Sequence, residues 1–247
     1  MRISVITPVL NVDKKLINLK SSLNRNSPNL FNWIIIGNKK NKKKIKKFIL
    51  KNKNFYFLEQ DDKGIYSAIN VGISSKIVNQ YYLVLGQDDL IINKNLFQEL
   101  TVQINADIIN DLSADIYELN TFSENKKKLN KLSKLRQNFS AIFNHHSGGM
   151  LIKTSLHKKF GYYDESYKLA SDYKFLSKIK KKIFIKKVDI LSAKIGINGS
   201  SAKRPLLGLF ERLLIDIHEK HIFIKAIITI KYFFKMFKQI IFNRKFQ

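Results

Sequence analysis

The 247-residue chain contains no cysteine. That excludes disulfide bridges and thiolate metal sites as supports for the fold, and it suits a reducing compartment. The chain also lacks any uncharged apolar run near the ~18 residues that a membrane-spanning helix requires. The opening MRISVITPVL is short and broken by Ser4, Thr7 and Pro8, so it reads as a first strand and not as a secretory signal. A cytoplasmic protein is expected. Acidic residues are scarce too, 19 against 45 Lys and Arg, for a formal charge of +26. This balance favours an anionic partner: nucleic acid, acidic lipid or a phosphorylated substrate. A general abundance of Lys, Asn and Ile explains the lysines of solvated faces equally well. What is plentiful is apolar, 45% of residues with 12% aromatic. That is the composition of a globular chain, long enough for one large domain or a domain with an appendage.

The N-terminal half alternates between two periodicities. Ile3–Val9 reads as a strand, and Leu16, Leu19 and Leu23 mark a helix face. Trp33–Ile36 is a continuous apolar run, followed by a lysine-rich helix through Phe48 and Leu50, a strand at Phe55–Leu58 and another at Tyr81–Leu85. Strands separated by helical segments of this length predict a mainly parallel sheet covered on both faces, with ligands beyond the strands' carboxyl ends. Further on, the pattern predicts a helix from Leu96 to about Ile104, a strand around Ala106–Leu119, and a polar helix or loop over Ser123–Asn138. Strands are expected at Met150–Lys153 and Ile183–Ile190, a helix at Ser171–Lys181, a loop from Ile195 to Ser201, and helix after Pro205.

Two stretches carry polar detail that a plain fold does not require. In LGQDDL, the adjacent carboxylates Asp88 and Asp89 follow an expected buried strand. Paired acids repel unless a cation or bound polar group relieves them, and Mg²⁺ or Mn²⁺ takes such oxygen ligands together with substrate phosphates. The alternative is a strand-ending or turn-capping Asp89. In DDKGIYSAINVGIS, Asp62 is placed to cap a helix starting near Lys63, with Ile65, Ala68, Ile69, Gly72 and Ile73 as its buried stripe. Tyr66 and Asn70 share a neighbouring face. Capping explains Asp62 but leaves Asn70 unexplained.

These residues resemble a known family. Asp62 through Ile73, then Leu85-Gly86-Gln87-Asp88-Asp89, look like the signature of family 2 glycosyltransferases, in particular the bacterial exopolysaccharide, O-antigen and colanic-acid type. Thr7-Pro8-Val9 with Asn11 in the opening strand also fits, as do His145-His146 before a strand and Gly161 through Tyr173. The resemblance covers roughly residues 1–205. It implies a GT-A fold, an α/β architecture with a Rossmann-like nucleotide-binding half and a mixed, mainly parallel sheet, and inverting transfer from a nucleotide-sugar. It further implies that Asp89 holds Mg²⁺ or Mn²⁺ on the diphosphate and that Asp172 is the general base. Thr7, Pro8, Asn38, Asp62, Lys63, Gly64, Asn70 and Asp88 would form the donor site. His145 and His146 are candidates near the active site or acceptor, with a structural role as the alternative. Two departures stand out: Ile36–Asn41 lacks the carboxylate usual after the second strand, leaving Asn38 as its stand-in, and Ser67 occupies a usual Asp position.

After Glu219 no acidic residue follows. On a helical wheel Lys220, Lys231, Lys235, Lys238 and Lys245 cluster, while Ile227, Ile230, Phe233, Phe234, Phe237, Ile240 and Ile241 fill much of the rest. Residues 206–247 therefore read as a basic amphipathic segment, expected either to lie on an anionic membrane at the inner face of the cell membrane or to pack on the catalytic domain. The expected partners are a nucleotide-sugar donor, a saccharide or lipid-linked saccharide acceptor and that membrane surface. A nucleic-acid partner is not expected, since no binding motif accompanies the charge. A non-catalytic partner of another transferase is the remaining alternative.

Overall fold

Ile3–Val9 (β1), Phe31–Gly37 (β2), Phe55–Glu59 (β3) and Tyr81–Val84 (β4) lie parallel in the order β3-β2-β1-β4. The near-continuous apolar sequences of β1, β2 and β4 follow from burial on both faces, whereas the edge strand β3 is buried only at Phe55. The computed structural model describes residues 1–61, 63–123, 147–196, 199, 203–218, 229–234 and 236–237. Beyond β4 the sheet continues through Met150–Lys153 (β7), Ile116–Ser123 (β6), Ile185–Ile195 (β8) and the two-residue Leu90–Ile91 (β5). β7 is antiparallel to both β4 and β6, β6 is parallel to β8, and β5 is antiparallel to β8. The eight strands thus form one mixed sheet.

Alternate residues of β1 and β2 feed two cores. Val5, Trp33 and Ile35 pack with Leu16, Leu19 and Leu23 of Lys14–Leu23 (α1), Ile45 of Lys42–Ile49 (α2) and Leu96, Phe97, Leu100 and Ile104 of Leu96–Ile109 (α4). Ile6, Ile34 and Ile36 pack on the other face with Ala68, Ile69 and Ile73 of Ile65–Ser74 (α3). Leu156 of Ser155–Phe160 (α5) and Phe175, Leu176 and Ile179 of Ser171–Ile179 (α6) complete that layer. Gly72 lets α3 sit close on β1, because a Cβ there would come within 2.9 Å of Ile6 Cγ2. Pro205–His218 (α7) packs against α6 through Ile215, Ala170 and Tyr173.

Three boundaries differ from the sequence expectations. α4 runs to Ile109 and β6 starts at Ile116, so the stretch after Ala106 begins as helix; Asp111 in a left-handed conformation (φ 54°) ends it. α3 begins at Ile65, not near Lys63, and Gly64 holds the cap position at φ 107° with no side-chain cap bond. That conformation is one that only glycine adopts without strain. Ile65, expected in the buried stripe, is 41% exposed, and Tyr66 and Ser67 are buried in its stead. β8 extends to Ile195, beyond the expected Ile190, because it pairs with both β6 and β5.

Candidate functional site

The parallel strands end on one edge, and the candidate residues gather there. After β4, Leu85 N–H still bonds to the Ile6 carbonyl (3.0 Å), and then the chain turns as Asp89 N–H reaches the Gly86 carbonyl (3.1 Å). Asp89 is buried. Its Oδ2 accepts the Gly86 N–H (2.7 Å) and its Oδ1 the Gly196 N–H (2.9 Å). The next two residues, β5, pair with β8, which brings Gly196, just past the end of β8, against the acidic pair. Contact there is close: a Cβ on Gly196 would overlap the Asp88 carboxylate. Asp88 is half-buried, and its Oδ2 is a buried atom without a hydrogen-bond partner among the described residues.

A buried, unpartnered carboxylate oxygen beside a second carboxylate is a donor set that suits a hard divalent cation sharing its remaining ligands with a diphosphate. Each Asp89 oxygen accepts a backbone amide, which fixes the carboxylate beside Asp88. Among the described residues no group of three or more His, Cys, Asp or Glu side chains is arranged to hold a metal. The fit therefore rests on two protein carboxylates, with phosphate oxygens supplying further ligands.

The opening strand contributes less directly than expected. Thr7 is fully buried and its Oγ1 accepts the Trp33 indole N–H (2.9 Å), so its side chain braces β1 against β2. Pro8, at the strand's end, is half-buried. Asn38 Oδ1 accepts the Asn41 N–H (3.2 Å) and caps the short turn Lys39–Asn41. Gln87 ties the acidic turn to the segment after β1, donating to the Asn11 carbonyl (2.8 Å). Lys63 and Gly64 are exposed just before α3. Asp62, His145 and His146 lie outside the described residues.

A helix that follows a parallel strand starts at that strand's carboxyl end, so the first turn of α3 stands on the same edge. Tyr66, in that turn, donates its hydroxyl to Asp172 Oδ1 (2.9 Å) across 106 residues of sequence. The Tyr173 N–H also bonds to Oδ1 (2.8 Å); Oδ2 takes part in neither contact. Burial, followed by the nearby Asp172 charge, pushes the Tyr66 hydroxyl well above its usual range, so it stays a proton donor. Asn70, expected in the donor pocket, is committed elsewhere. Its Oδ1 accepts the Tyr163 N–H (3.1 Å), and its Nδ2 donates to the Tyr163 carbonyl (2.8 Å) and Glu165 (3.1 Å). Asn70 therefore brackets the segment that leads towards Asp172.

Sequence reasoning missed several supports. Tyr82 bonds to His157 Nε2 (2.6 Å) and to the Tyr163 hydroxyl (2.8 Å), and the His157 ring stacks on Phe175 at 4.3 Å. Burial lowers the His157 pKa to about 4, which keeps the ring neutral as a core element. Asp164 is held down at about 2, chiefly by the Lys174 hydrogen bond (2.6 Å). Glu211 of α7 reaches the start of α6. Tyr163 and Asp164 fall within the Gly161–Tyr173 motif stretch, but Tyr82, His157 and Glu211 lie outside every quoted motif and meet these hydrogen-bond partners across 41 to 81 residues.

No protein-family model matches the chain, and no curated protein matches it by sequence. Solved structures do match. A crystal structure of S. aureus TarS superposes with a TM-score of 0.63 at 17% identity, over 94% of this chain but 43% of that one. Residues 1–349 of TarS in complex with UDP give 0.63 at 18% identity, over 94% of this chain and 71% of that one. The Pyrobaculum calidifontis mannosyltransferase PcManGT, in complex with GDP-Man and Mn²⁺, gives 0.64 at 11% identity, over 89% of this chain and 65% of that one. The fold is GT-A-like. In this GT-A-like frame, the carboxyl edge bearing Asp88, Asp89, Tyr66 and Asp172 is the candidate site. The chain spans less than half the length of the TarS chain it matches.

Proposed function

We propose that the chain is a family 2-type inverting glycosyltransferase, moving a sugar from a nucleotide-sugar to a saccharide acceptor, lipid-linked, in bacterial cell-surface polysaccharide assembly. One observation carries the reading. The Tyr66–Asp172 bond brings a carboxylate to the sheet edge that also bears Asp88 and Asp89. Charge neutralisation at a leaving diphosphate and a base for the acceptor then share one edge. The fold's likeness to proteins solved with UDP and with GDP-Man and Mn²⁺ supports the same reading.

In the proposed reaction, Asp172 Oδ2 takes the proton of an acceptor hydroxyl as its oxygen bonds to the sugar's anomeric carbon. The bond from that carbon to the diphosphate breaks, and the nucleoside diphosphate leaves with the electron pair. Tyr66 holds the other oxygen and fixes the carboxylate's orientation. Asp88 and Asp89 would hold a divalent cation, which supplies positive charge at the diphosphate.

Attachment to the inner face of the membrane belongs to the same proposal. In the described part of the tail, Ile230, Phe233, Phe234 and Phe237 are each more than half exposed, beside exposed Lys231. Apolar side chains of this kind next to basic ones suit an anionic bilayer interface, where each lysine adds about 1 kcal/mol. Lys220, Lys235, Lys238 and Lys245 lie outside the described residues. Among those described, no helix is long and apolar enough to cross a membrane.

The decisive experiment is a donor screen with Mg²⁺ or Mn²⁺, reading nucleoside diphosphate release with and without saccharide acceptors. Acceptor-stimulated release that EDTA abolishes, with an inverted anomeric centre in the product, is expected. Absence of release and of nucleotide binding across UDP- and GDP-sugars would leave the non-catalytic partner. The Asn38 side chain, engaged in its own turn, and the missing carboxylate at Ile36–Asn41 favour that second reading.

A further inference from the structure

α6 carries the proposed base in its first turn, yet its cap residue, Ala170, supplies no side-chain hydrogen bond. Alanine is a poor cap, and the amides at a helix start need acceptors. The acceptor comes from elsewhere. Glu211, on α7, receives the Lys168 N–H on Oε1 and the Leu169 and Ala170 N–H groups on Oε2, all at 2.8 Å. Glu211 is 7% exposed, so its carboxylate has exchanged water for these three amides at the positive end of a helix. Nearby, Tyr173 donates to Asp216 Oδ1 (2.8 Å) and Tyr232 to Asp216 Oδ2 (2.9 Å), while Ile215 packs on Ala170 and Tyr173. α7 therefore grips α6 on both sides of Asp172.

We propose that Glu211 is a positioning residue for the transfer reaction: it fixes the backbone of residues 168–170 and thereby the place of Asp172, without touching substrate. The inference rests on Asp172 being the base. Two anchors then set that carboxylate, Tyr66 from α3 and Glu211 from α7, and only the Tyr66 anchor acts on the carboxylate itself. α7 acts as part of the catalytic machinery's support and not only as an appendage. Small displacements of a positioned group are costly to rate while leaving a separate binding subsite intact.

The test is Glu211→Gln, which keeps the side chain's shape but turns an NH₂ donor towards amides that need an acceptor. Steady-state kinetics should show kcat falling about ten- to a hundredfold, with the donor KM and nucleotide affinity unchanged. Hydrogen exchange, measured without substrate, should quicken at residues 168–173 and stay unchanged in β1–β4. If Glu211→Gln does not fold, Glu211→Asp, which keeps the charge but is one methylene shorter, should show the same split at smaller size. Faster local exchange with unaltered kcat would overturn the proposal. So would a parallel fall of kcat, nucleotide affinity and thermal stability, or failure of both variants to fold. A wild-type protein that turns over no donor would instead sink the proposed function, and the exchange data would still decide whether Glu211 holds the segment.

Discussion

Asp89 and Asp172 stand on the same edge of the sheet but are held in opposite ways. Asp89 is buried and spends both oxygens on backbone amides, from Gly86 in its own turn and from Gly196 beyond β8. Asp172 is half-buried, and its two bonds, from Tyr66 and Tyr173, fall on one oxygen. The first carboxylate stitches two segments together, and the second, with both bonds on one oxygen, is the proposed base. A substitution at Asp89 therefore mixes stability with function, whereas one at Asp172 reads function almost alone.

The largest effect should come from Asp172→Asn, which is nearly isosteric and still accepts the Tyr66 hydroxyl but cannot take a proton. Transfer should fall by about 10²–10⁴-fold, the range of general base catalysis, with nucleotide affinity and melting temperature near wild type. Normal turnover at saturating donor would move Asp172 out of the acceptor subsite and break the contrast.

Acid should weaken the core beneath the proposed base. His157 is neutral in the folded state with a pKa of about 4, below its ordinary 6.5. A depressed folded value means this contribution is complete above about pH 6.5 and is lost as pH falls towards 4, because the unfolded chain binds the proton first. The shift amounts to roughly 3 kcal/mol. Melting temperature followed from pH 7 to pH 4 should drop, and a His157→Gln variant, though less stable throughout, should show a shallower decline. An identical slope in both would remove His157 as the cause.

Asp88 and Asp89 should then separate from one another. Asp89→Ala orphans two amides, each about 1–3 kcal/mol if buried, so it should lower the melting temperature as well as donor turnover. Asp88→Asn removes a charge with an unpartnered oxygen. It should leave stability intact or raised while weakening metal-dependent donor binding by about 1.5–3 kcal/mol, the scale of a charged hydrogen bond. Equal melting temperatures for the two variants would erase the distinction. The smallest effect is expected for Tyr66→Phe, which removes one hydroxyl from Asp172 Oδ1 at about 0.5–1.5 kcal/mol. Titration of nucleotide binding should show no change, and kcat should fall several-fold.

Much of this organisation was legible before any coordinates. The strands at Ile3–Val9 and Tyr81–Val84 and the helix face Leu16–Leu19–Leu23 follow from local periodicity, since a strand buried on both faces and a one-sided helix leave different spacings of apolar residues. Asp88 and Asp89 were visible as an acidic pair at a strand's end. Apolar residues continue on both sides of Ala106, so local pattern marks no boundary there, and what stops the helix is the left-handed Asp111.

What the sequence by itself determined was the alternation of elements and the polar residue types that gather at the strands' carboxyl ends. Tertiary structure decided which polar groups were already spoken for. Thr7 serves the Trp33 indole, Asn70 brackets Tyr163, and Asp89 binds Gly196 from 107 residues away. It also decided that a glutamate near the chain's end would cap the helix bearing Asp172. The reason is physical: periodicity and burial are written along neighbouring residues, whereas a hydrogen bond between distant segments has no local pattern and exists only once the sheet has brought its partners together.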